Sequence, residues 1–147
     1  MSSQLNVDTI VDKAGSGGSN VKMANTSTYV SDGGSATQNT VQGLAKCWLA
    51  SSDAASLNDS LNITSGTDNG TGDYTFAISN DMANSNYSII STASQAAAND
   101  PVISCNPTND TNSASVFRLQ IGYTSSGSGG YVAIDKLNYS ALFGDLA

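Results

Sequence analysis

The sequence predicts an all-β fold: a small antiparallel β-sandwich knob, jelly-roll-like, behind an extended N-terminal arm. Three observations carry this reading. From about residue 40 onward, apolar residues recur at every second position in short runs, the spacing of strands with one buried face. Polar stretches rich in Gly, Asn, Asp and Ser separate the runs, and these residues suit turn geometry. No segment repeats its apolar residues with the 3.6-residue period of a helix.

Residues 1–40 read as an anchoring arm. Leu5, Val7, Thr9 and Val11 alternate with Asn6, Asp8 and Ile10, a short half-buried strand pattern suited to pairing with a neighbour. Leu5, Val7, Ile10 and Val11 read as the anchoring side chains. The run Ala14-Gly-Ser-Gly-Gly-Ser-Asn20 breaks this strand, Val21 and Met23 suggest a second short contact, and Asp32-Gly33-Gly34 marks a turn. The knob, residues 41–147, starts with Ala45-Lys-Cys-Trp-Leu-Ala50. Leu57, Leu61 and Ile63 continue an odd-numbered apolar spacing, and Thr67 to Asp73 reads as a turn. Tyr74, Phe76 and Ile78 then alternate with Thr75 and Ala77. Tyr87–Ser91 and Val102–Cys105 follow as strands, and Ser91–Ala98 is the one place where a helical turn competes with a loop. The clearest strand is Val116–Tyr123, with Phe117, Leu119, Ile121 and Tyr123 on one side and Arg118 and Gln120 on the other. Tyr131–Asp135 returns from it as a hairpin.

Composition narrows the function. There are twelve Asp, four Lys and one Arg, with no Glu and no His. Histidine-based triads, imidazole metal sites and histidine pH switches are thereby excluded, and the expectation is a protein that is not an enzyme. A net charge of −7 repels a phosphate backbone, so no nucleic-acid partner is expected. No apolar run nears the ~20 residues needed to span a bilayer. The N-terminus also lacks the basic and apolar regions of a signal peptide, so synthesis in a cytoplasm and no membrane partner are expected. Nine Leu, eight Ile, eight Val and three Phe are about a fifth of the chain, little bulky apolar surface for a solitary fold. Partners are therefore expected, through oligomerisation or docking onto a larger assembly.

Two segments carry a resemblance. Asn39-Thr-Val-Gln-Gly-Leu-Ala-Lys-Cys-Trp48 and Thr67-Asp-Asn-Gly-Thr-Gly-Asp-Tyr-Thr-Phe76 resemble the C-terminal β-module of tail-fibre proteins of tailed phages, especially marine and cyanobacterial ones. Leu5-Asn-Val-Asp-Thr-Ile-Val-Asp-Lys-Ala-Gly15 is similar to the N-terminal attachment segment of those proteins, and Ala141-Leu-Phe-Gly-Asp145 to their closing strand. Cys47 stands where that family usually has Ala, and the long repetitive shaft of a fibre is missing. The resemblance implies a non-enzymatic homotrimer on the virion surface, made in the host cytoplasm and held by its arm to other virion structural proteins. Two uses follow. One is a tail-fibre or adhesin module on the tail or baseplate that meets host surface glycan. The other is a capsid decoration (cement) protein on the major capsid protein. The oligomer interface is expected near Leu142 and Phe143.

The remaining motifs favour structural roles. Asp68, Asn69 and Asp73 miss the spacing of a calcium loop and read as turn residues that bond nearby backbone N–H groups, so no metal is expected. Gly15–Gly18 and Gly127–Gly130 lack the Lys-Ser/Thr of a phosphate cradle, and no cofactor is expected. Asp32, Asp68, Asp100 and Asp110 lie beside Asn or Gly and read as solvated turn residues, not as the paired carboxylates of a glycosidase. Cys47 and Cys105 read as free thiols, given a reducing cytoplasm. Among the aromatic strand residues, Trp48, Tyr123 and Tyr131 are candidates for glycan contact, although such residues more often serve core or interface.

Overall fold

The computed structural model describes residues 27–30, 36–94, 102–105, 112–124 and 130–147. The chain divides into two compact units, Met1–Val41 and Gln42–Ala147. In the first, β1 (Thr28–Val30) pairs antiparallel with β2 (Thr37–Asn39), with Tyr29 opposite Gln38. Leu5, Val7, Ile10 and Val11, and with them Val21, Met23 and the Asp32–Gly34 turn, lie outside the described residues.

The second unit is all-β, with no helix among its described residues. It comprises β3 (Ala45–Ser51), β4 (Leu57–Leu61), β5 (Ile63–Gly70), β6 (Asp73–Ile78), β7 (Ser88–Ala93), β8 (Val102–Cys105), β9 (Val116–Thr124), β10 (Tyr131–Ala133) and β11 (Asn138–Phe143). The first sheet runs β4-β3-β11-β7 and the second β10-β9-β6-β5, with β8 also paired to β9. All of these pairings are antiparallel. Because β8 takes one edge of β9, β6 and β10 must follow each other along its other edge, and the second sheet curls there.

One core fills the space between the sheets. Tyr74, Phe76 and Ile78 of β6 and Phe117, Leu119 and Ile121 of β9 meet Cys47 and Leu49 of β3 and Leu142 of β11. The period-two pattern places each of these side chains inward. Phe76 sits directly opposite Phe117, with ring centroids 5.4 Å apart, a tilted pair that adds about 0.5–1.5 kcal/mol beyond the area it buries.

Three sequence expectations change. Leu57, Leu61 and Ile63 do not share a face, because the chain leaves the first sheet at Leu61 and enters the second at Ile63. The corner is Asn62, in the left-handed region at φ 60°, which Asn tolerates better than most residues. Its amide donates to the carbonyls of Lys46 (3.2 Å) and Asn80 (3.0 Å) and accepts from the Asn80 backbone N–H at 2.6 Å. Next, the turn expected over Thr67–Asp73 shrinks to Thr71-Gly72, since β5 continues to Gly70. Gly72 has φ +67°, and a Cβ there would lie 2.2 Å from the Ile121 carbonyl oxygen, so only glycine fits. Finally, β7 extends through Ala93 and takes the first part of the segment where a helical turn competed; residues 95–98 lie outside the described residues.

Candidate functional site

Several titratable groups among the described residues of the knob serve its structure. Arg118 and Asp73 form a two-pronged ion pair on the outer face of the second sheet, Nε donating to Oδ1 at 2.6 Å and Nη2 to Oδ2. The hydrogen bonds from Arg118 hold the Asp73 carboxyl below its ordinary pKa. Asp135 accepts from the Gly72 N–H at 2.6 Å and lies 3.1 Å from the Tyr74 hydroxyl, which is also 2.9 Å from the Asp53 carbonyl oxygen. Burial first, and the Asp135 carboxylate second, raise the Tyr74 hydroxyl above the ordinary tyrosine range, so it serves as a neutral donor. These bonds pin the point where β6 and β10 meet along β9. The Cys47 thiol is free and fully buried, and burial pushes its pKa up to about 11, so it packs as a small apolar group. Among the described residues, no three His, Cys, Asp or Glu side chains gather as a metal site.

The feature that stands out is the outer face of the first sheet. Strand β11 runs inside-out: Asn138 and Ser140 point into the sandwich with Leu142, while Tyr139, Ala141 and Phe143 take the opposite parity. Its inner polar groups must find partners there. Asn138 Nδ2 donates to Ser51 Oγ at 2.6 Å, and the Ser140 hydroxyl bonds Ser91 Oγ at 2.9 Å, which also accepts from Ser104 at 2.8 Å. On the outside, the registers align Leu61, Trp48, Ala141 and Ile90 in one row across all four strands. The row below it is Asp59, Ala50, Tyr139 and Thr92. Leu61 is 50% exposed, Ile90 62% and Tyr139 50%, and Trp48 37%. A shallow, mainly apolar groove of about 350 Å³ runs between Trp48, Ile90 and Tyr139.

No protein-family model, curated protein or solved structure matches the chain.

The aromatic residues singled out from the sequence are not brought together. Trp48 lies in the apolar row of the first sheet. Tyr131 lies on the outer face of the second sheet, its ring so close to Gly122 that a Cβ there would sit 2.4 Å from it. Tyr123 has the core-side parity of Ile121 and is half-buried. Leu142, near which the oligomer interface is expected, is completely buried in its own chain's core. Phe143 points the other way and is half-buried. The residues missed were Leu61, Ile90, Tyr139 and Ala141. Ile89-Ile90 carried a signal, because two adjacent large apolar residues in a strand cannot both face inward.

Proposed function

We propose that this chain is a non-enzymatic structural protein of a tailed-phage virion surface, a trimeric knob of tail-fibre or adhesin type held to the particle by residues 1–40. The apolar row Leu61–Trp48–Ala141–Ile90 is the observation that carries the proposal. Apolar side chains left exposed side by side across a sheet support an interaction face. Copies of the same chain are its best partner. Each carries a net charge of −7, so self-association is easiest through a face whose two central rows hold one carboxylate, Asp59, on the outer strand. Covering a half-exposed Ile, Leu or Tyr contributes on the order of 1 kcal/mol each, about half the value of full burial. The resemblance of 39–48 and 67–76 to tail-fibre modules supports the virion setting, and the sparse apolar content supports the need for partners.

Sedimentation of the full chain tests the trimer. The wild type is expected to run as a trimer, and Ile90→Asp with Trp48→Asp as a folded monomer. A folded wild-type monomer at low micromolar concentration overturns the trimer. A second reading is capsid decoration, which an exposed apolar row on one sheet serves equally well. Copy number in purified particles separates the two: hundreds of copies mean decoration, a handful mean a tail appendage, and none refutes the virion role.

A further inference from the structure

Beyond the apolar row, at the ends of β7 and β11, a cleft of about 350 Å³ opens with a different chemistry. Its walls carry the amides of Gln42, Asn84 and Asn86 and the carboxylate of Asp145, with Tyr87 and Phe143 as the apolar side. We propose that this cleft is a subsite for one or two neutral sugar rings. The inference deepens the adhesin reading and rests on it for the source of the sugar.

The chemistry of the walls points to hydroxyl groups. A planar amide presents a donor and an acceptor side by side, matching the vicinal hydroxyls of a pyranose, each of which both donates and accepts. A carboxylate accepts from a hydroxyl in a stronger, charge-assisted bond, and Asp145, which accepts from Gln42 Nε2 at 3.2 Å, has further lone pairs to offer. The Asn86 amide has no hydrogen-bond partner among the described residues, and Asn84 uses only its Oδ1, which accepts the Asn86 backbone N–H at 2.7 Å. Aromatic walls suit the apolar faces of sugar rings, and 350 Å³ is at the small end of ligand cavities. Among the described residues no Lys or Arg lines the cleft, although the Lys46 charge acts on Asp145 from nearby. With the Asp145 carboxylate in the wall and a chain of net charge −7, acidic sugars are disfavoured relative to neutral ones.

The cleft is also built before any ligand arrives. The Ala83 N–H donates to the Asp145 carbonyl at 2.8 Å, the Ala147 N–H to the Asp81 carbonyl at 3.0 Å, and Met82 bridges Leu146. Tyr87 is held by its hydroxyl, 2.8 Å from the Val116 carbonyl and 3.0 Å from that of Ser113. Gly144 lets the wall close up: a Cβ there would be 3.0 Å from both Met82 Cε and Tyr87 Cβ. Walls fixed in this way lose little freedom on binding.

The test is NMR titration of the full chain with methyl galactoside, methyl glucoside, N-acetylglucosamine and, as the acidic comparator, galacturonate. At least one neutral sugar is expected to shift the backbone amides of Asn84, Asn86 and Gly144 saturably, with Kd on the order of 1 mM. Asn86→Ala, an exposed position, is expected to weaken binding about tenfold, a loss of about 1.4 kcal/mol, without altering the sedimentation of the chain. Asp145→Asn is expected to admit galacturonate. The proposal is overturned if no neutral sugar shifts these amides, if the shifts cluster on Trp48, Ile90 and Tyr139 instead, or if galacturonate binds the wild type equally well. A trimer that ignores all four sugars refutes the cleft alone, whereas a monomer that binds one refutes the trimer alone.

Discussion

The two sheets of the knob spend their side chains in opposite ways. In the second, β6 and β9 follow the pleat: Tyr74, Phe76, Ile78, Phe117, Leu119 and Ile121 point inward, while Asp73, Thr75, Arg118 and Gln120 meet water. In the first, β11 contributes Asn138 and Ser140 to the interior and Tyr139 and Ala141 to the surface. Both sheets obey the same period of two, but only one follows the rule of apolar inside and polar outside. The second sheet therefore supplies most of the buried core. The first gives up part of its inner face to hydrogen-bonded polar pairs and leaves apolar side chains exposed on its outer face.

The most severe way to break this comparison is to remove core from the second sheet. Phe117→Ala deletes a fully buried ring stacked near Phe76, and should cost about 3–5 kcal/mol. Urea unfolding checks this, with a large drop in midpoint expected. A loss below about 1 kcal/mol would mean that the core is not concentrated where the alternation puts it.

A smaller loss is expected in the polar interior of the first sheet. Asn138 is fully buried, and its Oδ1 has no hydrogen-bond partner among the described residues. Asn138→Ala leaves a cavity and deprives Ser51 of a partner, and should cost about 1–3 kcal/mol in the same assay. Asn138→Leu combined with Ser51→Ala replaces the pair by apolar groups. That double variant should match the wild type or exceed it by about 1 kcal/mol, since a buried polar pair gains little net stability. A double variant as unstable as the single one would show the inverted strand to be optimal for folding.

How far the sequence announces these differences depends on the range of the interactions involved. Strand β9 was legible because Phe117, Leu119 and Ile121 alternate cleanly with Arg118 and Gln120, and local parity is all that such a pattern requires. The all-β class followed from the same alternation and from turn chemistry. The corner at Asn62 was not legible, because an apolar–polar–apolar Leu61-Asn-Ile63 looks like one strand until the amide is seen bridging to Lys46 and Asn80. Nor was the inversion of β11: Leu142 and Phe143 are equally apolar, and only the pairing of Leu142 with Cys47 settles which faces in. The apolar row takes its residues from four strands between Trp48 and Ala141, so it exists only once the register is set. The polar cleft is equally non-local, since it brings Gln42 within 3.2 Å of Asp145.

The smallest effect tests the outer face of the second sheet, where charge takes the place that apolar side chains hold on the first. Asp73 ionises more readily in the folded chain than in the unfolded one, because Arg118 bonds its carboxylate. The folded pKa thus lies below the unfolded value of about 3.9, and the pair's contribution is fully present above that value. It fades as pH falls through the unfolded pKa and is gone below the folded one. Asp73→Asn keeps the shape and removes the charge, so wild type and variant should differ in urea midpoint near neutral pH and converge in acid. The gap should be small, because both partners of the pair reach solvent. It should shrink further in high salt, which screens exposed charges but leaves the effect of Phe117→Ala untouched. A gap independent of pH would assign Asp73 to turn geometry, through its contact with Asn69, and not to the ion pair.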